Sequence, residues 1–125
     1  MMKFLILFFA LIWSPPQDAI IKDIGLAMNA GSSKELVKFC NETVEIKIDG
    51  ESSNYSKAQA EVILKDFFTK NPAKSFTYIH KGSASNGLTY TIGQYTHENG
   101  SFRVVMLIKK IDDSFRIDTL QFIKE

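Results

Sequence analysis

The chain is predicted to be an α+β domain in which N-terminal helices pack on one face of an antiparallel sheet. Three observations carry that expectation. Helical periodicity is confined to the stretch before Pro72, and alternation of apolar and polar residues dominates after it. Three turn dipeptides, Asn86-Gly87, Asn99-Gly100 and Asp112-Asp113, then cut the second region into four short segments. Helices followed by hairpin-connected strands form a layered α+β domain, because the sheet's apolar face has to be buried against the helices. With 125 residues, 45% of them apolar, the chain suffices for one core and is too short for two.

The N-terminus, "MMKFLILFFALIWSPPQDA", carries one Lys and then ten apolar residues, Phe4 to Trp13. As a helix this run spans roughly 15 Å, half of a bilayer core of about 30 Å. It has the length of a secretory leader rather than of a spanning helix, and Pro15-Pro16 ends it. Residues 1–19 are therefore expected to be a signal peptide, cleaved between Ser14 and Ala19, and 20–125 a single secreted or periplasmic domain. No stable membrane insertion is expected once the leader is removed. The alternative is that the run is a buried core strand or helix. No Cys follows the run, so a lipoprotein route does not fit. Cys40 is the single cysteine, so no internal disulfide can form and the fold must stand on its core. At the end of "KELVKFC" it is expected to pack as a small buried residue.

In "DAIIKDIGLAMNAG" the residues Ile20, Ile24, Ala27 and Met28 share one helical stripe, and Gly31 is a left-handed stop. "SSKELVKFC" restarts a short helix, with Ser32 and Glu35 at capping-box spacing. "TVEIKID" alternates Val44, Ile46 and Ile48 against Glu45 and Lys47, a strand with one wet face. Asp49–Tyr55 is read as a loop. "SKAQAEVILKDFFTKNP" carries the clearest helix signal. Ser56 and Gln59 make a second capping box, Ala60, Ile63, Leu64, Phe67 and Phe68 form the stripe, and Asn71-Pro72 ends it. The four strands are "SFTYIHKG", "LTYTIGQYTH", "SFRVVMLIKK" and "SFRIDTLQFI".

Two-residue loops at the three turns would set the registers by counting. Glu98 then pairs with Ser101, His97 with Phe102, Tyr95 with Val104 and Gly93 with Met106. Ile108 pairs with Ile117, Met106 with Thr119, His80 with Gly93, and Tyr78 with Tyr95. The core face collects Phe76, Tyr78, His80, Gly93, Tyr95, Phe102, Val104, Met106, Ile108, Phe115, Ile117 and Ile123. Ligand-pocket candidates on it are His80, Tyr78, Tyr95, Gly93, Met106 and Thr119, since the missing side chain of Gly93 leaves room beside His80. The opposite face has an apolar middle of Tyr90, Ile92, Val105, Leu107, Leu120 and Phe122. Arg103, Lys109, Arg116 and Asp118 border it. A rimmed apolar patch of this kind marks an interface, and a homodimer packed sheet to sheet is expected. A one-residue bulge would swap the faces beyond it.

"YSKAQAEVILKDFFTKNP", "SFTYIHKGS", "YTIG" and "FRVVMLIKK" together resemble the small secreted bacterial family called domain of unknown function 4783. That family is similar to the cone-shaped nuclear transport factor 2-like, cystatin-like fold. The resemblance covers residues 20 to 124. It implies a curved sheet wrapped around helices, often dimeric, and it carries over no catalytic residue.

Chemistry finds little footing. Fifteen basic against fourteen acidic residues, without a Lys/Arg block, offer nucleic acid no electrostatic footprint. His80, His97 and Cys40 lack paired metal-ligand spacing, His97-Glu98 reads as a solvated turn flank, and Asp112-Asp113 reads as turn chemistry. Neither a metal nor a cofactor is expected. His80 has no inward carboxylate to orient it as a base, so no catalytic residue is assigned. The leading expectation is an exported non-catalytic dimer that binds a small apolar ligand or another envelope protein. The first alternative is a pocket enzyme of isomerase or dehydratase type using His80 with a Tyr, a reading that a carboxylate from the helices or the Asp49–Tyr55 loop within reach of His80 would strengthen. The second is a purely structural or interaction module.

Overall fold

The structure, a computed structural model, describes residues 16–83 and 87–125. Most of the expected leader, residues 1–15, lies outside the described residues, and so does Asn86 of the first expected turn. No helix among the described residues is long and apolar enough to cross a membrane.

Helix α1, Pro16–Ala30, buries Ile21, Ile24, Ala27 and Met28, one stripe of a 3.6-residue period. It ends as expected at Gly31, whose φ of 61° lets Gly31 and Ser32 donate their N–H groups to Met28 and Ala27. Helix α2, Ser33–Val37, has half of the expected box. Ser32 Oγ accepts from the Glu35 N–H at 3.2 Å, while the Glu35 carboxylate takes the Lys38 ammonium at 2.9 Å. Strand β1, Cys40–Ile48, turns through Asp49 and Gly50, both at positive φ, into β2, Glu51–Ser56. The stretch expected to be a loop is thus an edge strand. Both halves of the Ser56–Gln59 capping box then open α3, Lys57–Lys70, which buries Ala60, Leu64, Phe67 and Phe68. Strands β3 (Ala73–Ser83), β4 (Thr89–His97), β5 (Gly100–Ile111) and β6 (Ser114–Lys124) complete the chain.

The sheet order is β2-β1-β6-β5-β4-β3, antiparallel except where β6 returns parallel to β1. Helix α3 carries the chain from one sheet edge to the other, and the meander comes back across. All three helices contribute buried residues to the core against the same face.

The registers depart from simple counting in three places. Glu98-Asn99, not Asn99-Gly100, forms the β4–β5 turn, so His97 pairs with Gly100, Tyr95 with Phe102 and Gly93 with Val104. A shift of two keeps every side chain on its expected face. Across Asp112-Asp113, where both residues have positive φ, Ile108 pairs with Ile117 as expected. Beyond that pair Asp118 is an extra residue, and Leu107 faces Thr119 and Met106 faces Leu120. This bulge exchanges the faces of the rest of β6. Leu120 and Phe122, expected outside, are buried at 0% and 1% exposure, whereas Ile123, expected in the core, is 40% exposed. On β3, Tyr78 pairs with Gly93 and His80 with Ile92, so Ile79 is a bulge and His80 turns away from the core.

Cys40 is fully buried as expected, and burial pushes its thiol up to about 12 against a smaller opposing pull from Lys57. A thiol with a raised folded pKa contributes stability that is whole below its unfolded value and fades as pH rises toward the folded one. The denaturation midpoint is therefore expected to fall between about pH 9 and pH 12. Cys40→Ala should fall less over that window; equal slopes in the two proteins would contradict this.

Candidate functional site

The six expected pocket residues do not converge on a cavity. His80 is exposed on the outer face, where its Nε2 lies 3.2 Å from the Tyr90 hydroxyl. Tyr78 is half-buried against α1 and donates its hydroxyl to the Ile21 carbonyl at 2.6 Å; burial raises its pKa above the ordinary phenol value. Tyr95 is fully buried, its hydroxyl donates to the Asn71 carbonyl, and burial pushes its pKa up to about 12. The room beside Gly93 is occupied: a Cβ there would lie 2.4 Å from the Phe76 ring. Met106 is a core residue, and Thr119 stands half-buried on the outer face because of the bulge.

A cleft of about 680 Å³ opens at the end of the sheet where β1 turns into β2 and β4 into β5. Ile46, Ile48, Ile63, Phe67 and Phe102 supply its apolar surface. Ile63 is free to do so because it stands at the margin of the α3 stripe, half-buried, while Leu64 and Phe67 point into the core. The polar rim has an acidic end, Asp49 and Glu51 on the β1–β2 hairpin, and a donor end formed by Lys124 and His97. Asp66 and Lys70 on α3 pair with each other at 3.0 Å, an exposed contact of little energetic weight.

His97, expected as a solvated turn flank, lies buried instead. It is 9% exposed, its ring stacks on Phe102 at 5.3 Å, and Nδ1 accepts from the Asn99 N–H at 3.4 Å. That bond leaves the proton of the neutral ring on Nε2. The signal was the parity of β4: Thr89, Thr91, Gly93, Tyr95 and His97 all fall on the buried face. Among the described residues, no group of three or more His, Cys, Asp or Glu side chains is arranged to hold a metal ion.

The outer face keeps part of its expected patch. Tyr90, Ile92, Val105 and Leu107 are half-buried there, and Ile79 is 58% exposed. Its margins carry Arg103 paired with Glu125 at 3.4 Å and Lys109 with Asp118 at 3.7 Å.

The family model described as Domain of unknown function (DUF4783) matches residues 21–122. The chain belongs to the DUF4783 family. Two solved DUF4783 proteins are similar to it, each with a TM-score of 0.79. The one from Bacteroides ovatus shares 31% identity, over 82% of this chain and 93% of that one. The one from Bacteroides uniformis shares 27%, over 83% and 95%. At the level of fold alone, the DUF4783 chain is similar to a cystatin-like domain of unknown function from Nostoc punctiforme, at 13% identity and TM-score 0.69, over 88% of this chain and 77% of that one. It is likewise similar to an NTF-2 like protein of unknown function from Shewanella oneidensis, at 20% identity and TM-score 0.63, over 88% and 100%. No curated protein matches. The architecture is thus α+β and NTF2-like: helices on a curved, mostly antiparallel six-stranded sheet.

Proposed function

We propose that this DUF4783 chain is an exported, non-catalytic binding domain whose cleft beside α3 takes a small molecule with an apolar body. The observation that carries the reading is the cleft itself, about 680 Å³, with aliphatic and aromatic side chains between two polar ends. Preformed concavities of this size are the usual form of a small-molecule site, and since polar side chains outnumber the apolar ones in this lining, the ligand carries polar groups as well as its apolar body. The non-catalytic part is supported by the bonding of His97. Its Nδ1 is engaged by a backbone N–H rather than held by a carboxylate that would orient it as a base. Export rests on the Phe4–Trp13 run, and N-terminal sequencing that still began at Met1 or Met2 would overturn it. The probe for the cleft is 1-anilinonaphthalene-8-sulfonate, an aromatic anion. Saturable one-to-one binding is expected, weakened at least about tenfold, or about 1.4 kcal/mol, in Ile63→Trp, whose indole would fill the cleft. Equal binding by both proteins would place the dye elsewhere and sink the assignment.

The patch on the outer face favours a second reading that sits beside the first: two copies associate sheet to sheet. Ile79, Tyr90, Ile92, Val105 and Leu107 form its apolar part, and each margin carries a cation and an anion. A two-fold axis brings such margins against each other with opposite charges facing. Leu107→Asp is expected to turn the dimer into a monomer with its circular dichroism spectrum unchanged. Sedimentation of the unmutated protein as a monomer at tens of micromolar would reject the interface.

A further inference from the structure

The two edges of the sheet are treated differently. At the β3 edge the chain has two bulges, at Lys74 and Ile79, and Lys74 and Lys81 lie on the strand. The Asn29 side chain from α1 also occupies both backbone groups of Phe76, donating to its carbonyl at 3.0 Å and accepting from its N–H at 2.9 Å. Bulges, lysines and a covering element are the devices by which proteins keep foreign strands off an edge. Among the described residues, strand β2 at the other edge has no bulge and no lysine, and a side chain covers it only at its last N–H, that of Ser56. Its sequence, ESSNYS, contains no Lys or Pro, its pairing with β1 is regular from Thr43–Ser56 to Ile48–Glu51, and all of it but Tyr55 is exposed. In an edge strand every second residue points its N–H and C=O away from the sheet, and among the described residues the Gln59 side chain takes only the Ser56 N–H at the end of β2, leaving the Glu51–Tyr55 row open.

Charge and shape narrow what fits there. Between Cys40 and Lys57 stand four carboxylates, Glu42, Glu45, Asp49 and Glu51, against two lysines, Lys47 and Lys57, although the whole chain carries +1. The edge is an acidic region of a slightly basic molecule. Glu51 and Tyr55 of β2 also line the cleft, so one face of an added strand would lie beside apolar surface.

We infer that β2 is a docking edge for an extended peptide segment of another protein, basic and apolar at alternating positions. The segment pairs with β2 as a seventh strand, its apolar side chains on the face that carries Tyr55 and its basic ones on the opposite face of this acidic edge. Backbone pairing supplies the affinity and the alternate side chains the selectivity.

The probe is a capped, fluorescein-labelled octapeptide alternating Lys and Val. Two controls accompany it: the same peptide N-methylated at alternate residues, and one alternating Glu and Val. Saturable binding of the first is expected, with each control weaker by at least about tenfold. Hydrogen exchange is expected to slow in residues 51–56 on binding. No binding up to about 1 mM, equal binding of the N-methylated or the acidic peptide, or slowed exchange only outside residues 51–56 would overturn the proposal. So would slowed exchange there on raising the protein concentration without peptide, which would mark the edge as a contact between copies. In Ile63→Trp the exchange signature should persist while dye binding is weakened, so the two sites can fail separately.

Discussion

Phe67→Ala is expected to destabilise the domain by about 3–5 kcal/mol, the range for emptying a buried aromatic site. Phe67 lies on α3 at 4% exposure and is the point at which helix and sheet meet. Its ring centroid is 4.1 Å from that of Phe122, 5.0 Å from Phe102 and 5.7 Å from both Tyr95 and Phe68. Three of those rings come from three different strands, so they cannot all collapse into the vacated space, and the cavity is left largely unfilled. Leu64→Ala, one turn earlier and fully buried, belongs to the same series at about 2–5 kcal/mol. An unchanged denaturation midpoint in Phe67→Ala would mean that the aromatic cluster is not packed as described.

Gly93→Val should cost about 3 kcal/mol or more, for the opposite reason, overpacking. A Cβ at position 93 would stand 2.4 Å from Cζ of Phe76 and 3.2 Å from the Thr77 carbonyl oxygen. The Phe76 ring is buried, and Tyr78 packs against it edge-on at 5.0 Å, so it has little room to swing away. A Cβ this close forces either the ring or the β3–β4 pairing to move. Phe76→Leu in the same chain should recover part of the loss, because the shorter side chain clears the Cβ. A Gly93→Val protein as stable as the parent would show that the space beside Gly93 is open after all, and would revive the pocket expected there from the sequence.

The same packing explains where counting along the strands fails. His80 was placed beside Gly93 by counting through a two-residue turn, yet β3 ends at Ser83 and β4 begins at Thr89, and the Ile79 bulge then turns His80 outward. The same counting puts Leu120 and Phe122 on the outer face, and they lie in the core once Asp118 bulges. His97 was read as a turn flank, although its parity along β4 matched the buried face.

By itself the sequence determined whatever rests on neighbours along the chain. The stripe and capping box of α3, the Gly31 stop, the four meander strands, and the buried faces of β4 and β5 all come from spacing, turn residues and alternation, which act within a few residues. Only the tertiary structure decided the rest. The bulges at Ile79 and Asp118 show only in how each strand pairs with the one beside it across the sheet. Strand β2 was silent because a strand exposed on both faces has no buried side to impose a period. The cleft was silent too, because it exists only where the end of α3 departs from the ends of strands that are far apart in sequence. A gap between elements has no residue pattern of its own; it appears only when the distances between those elements are known.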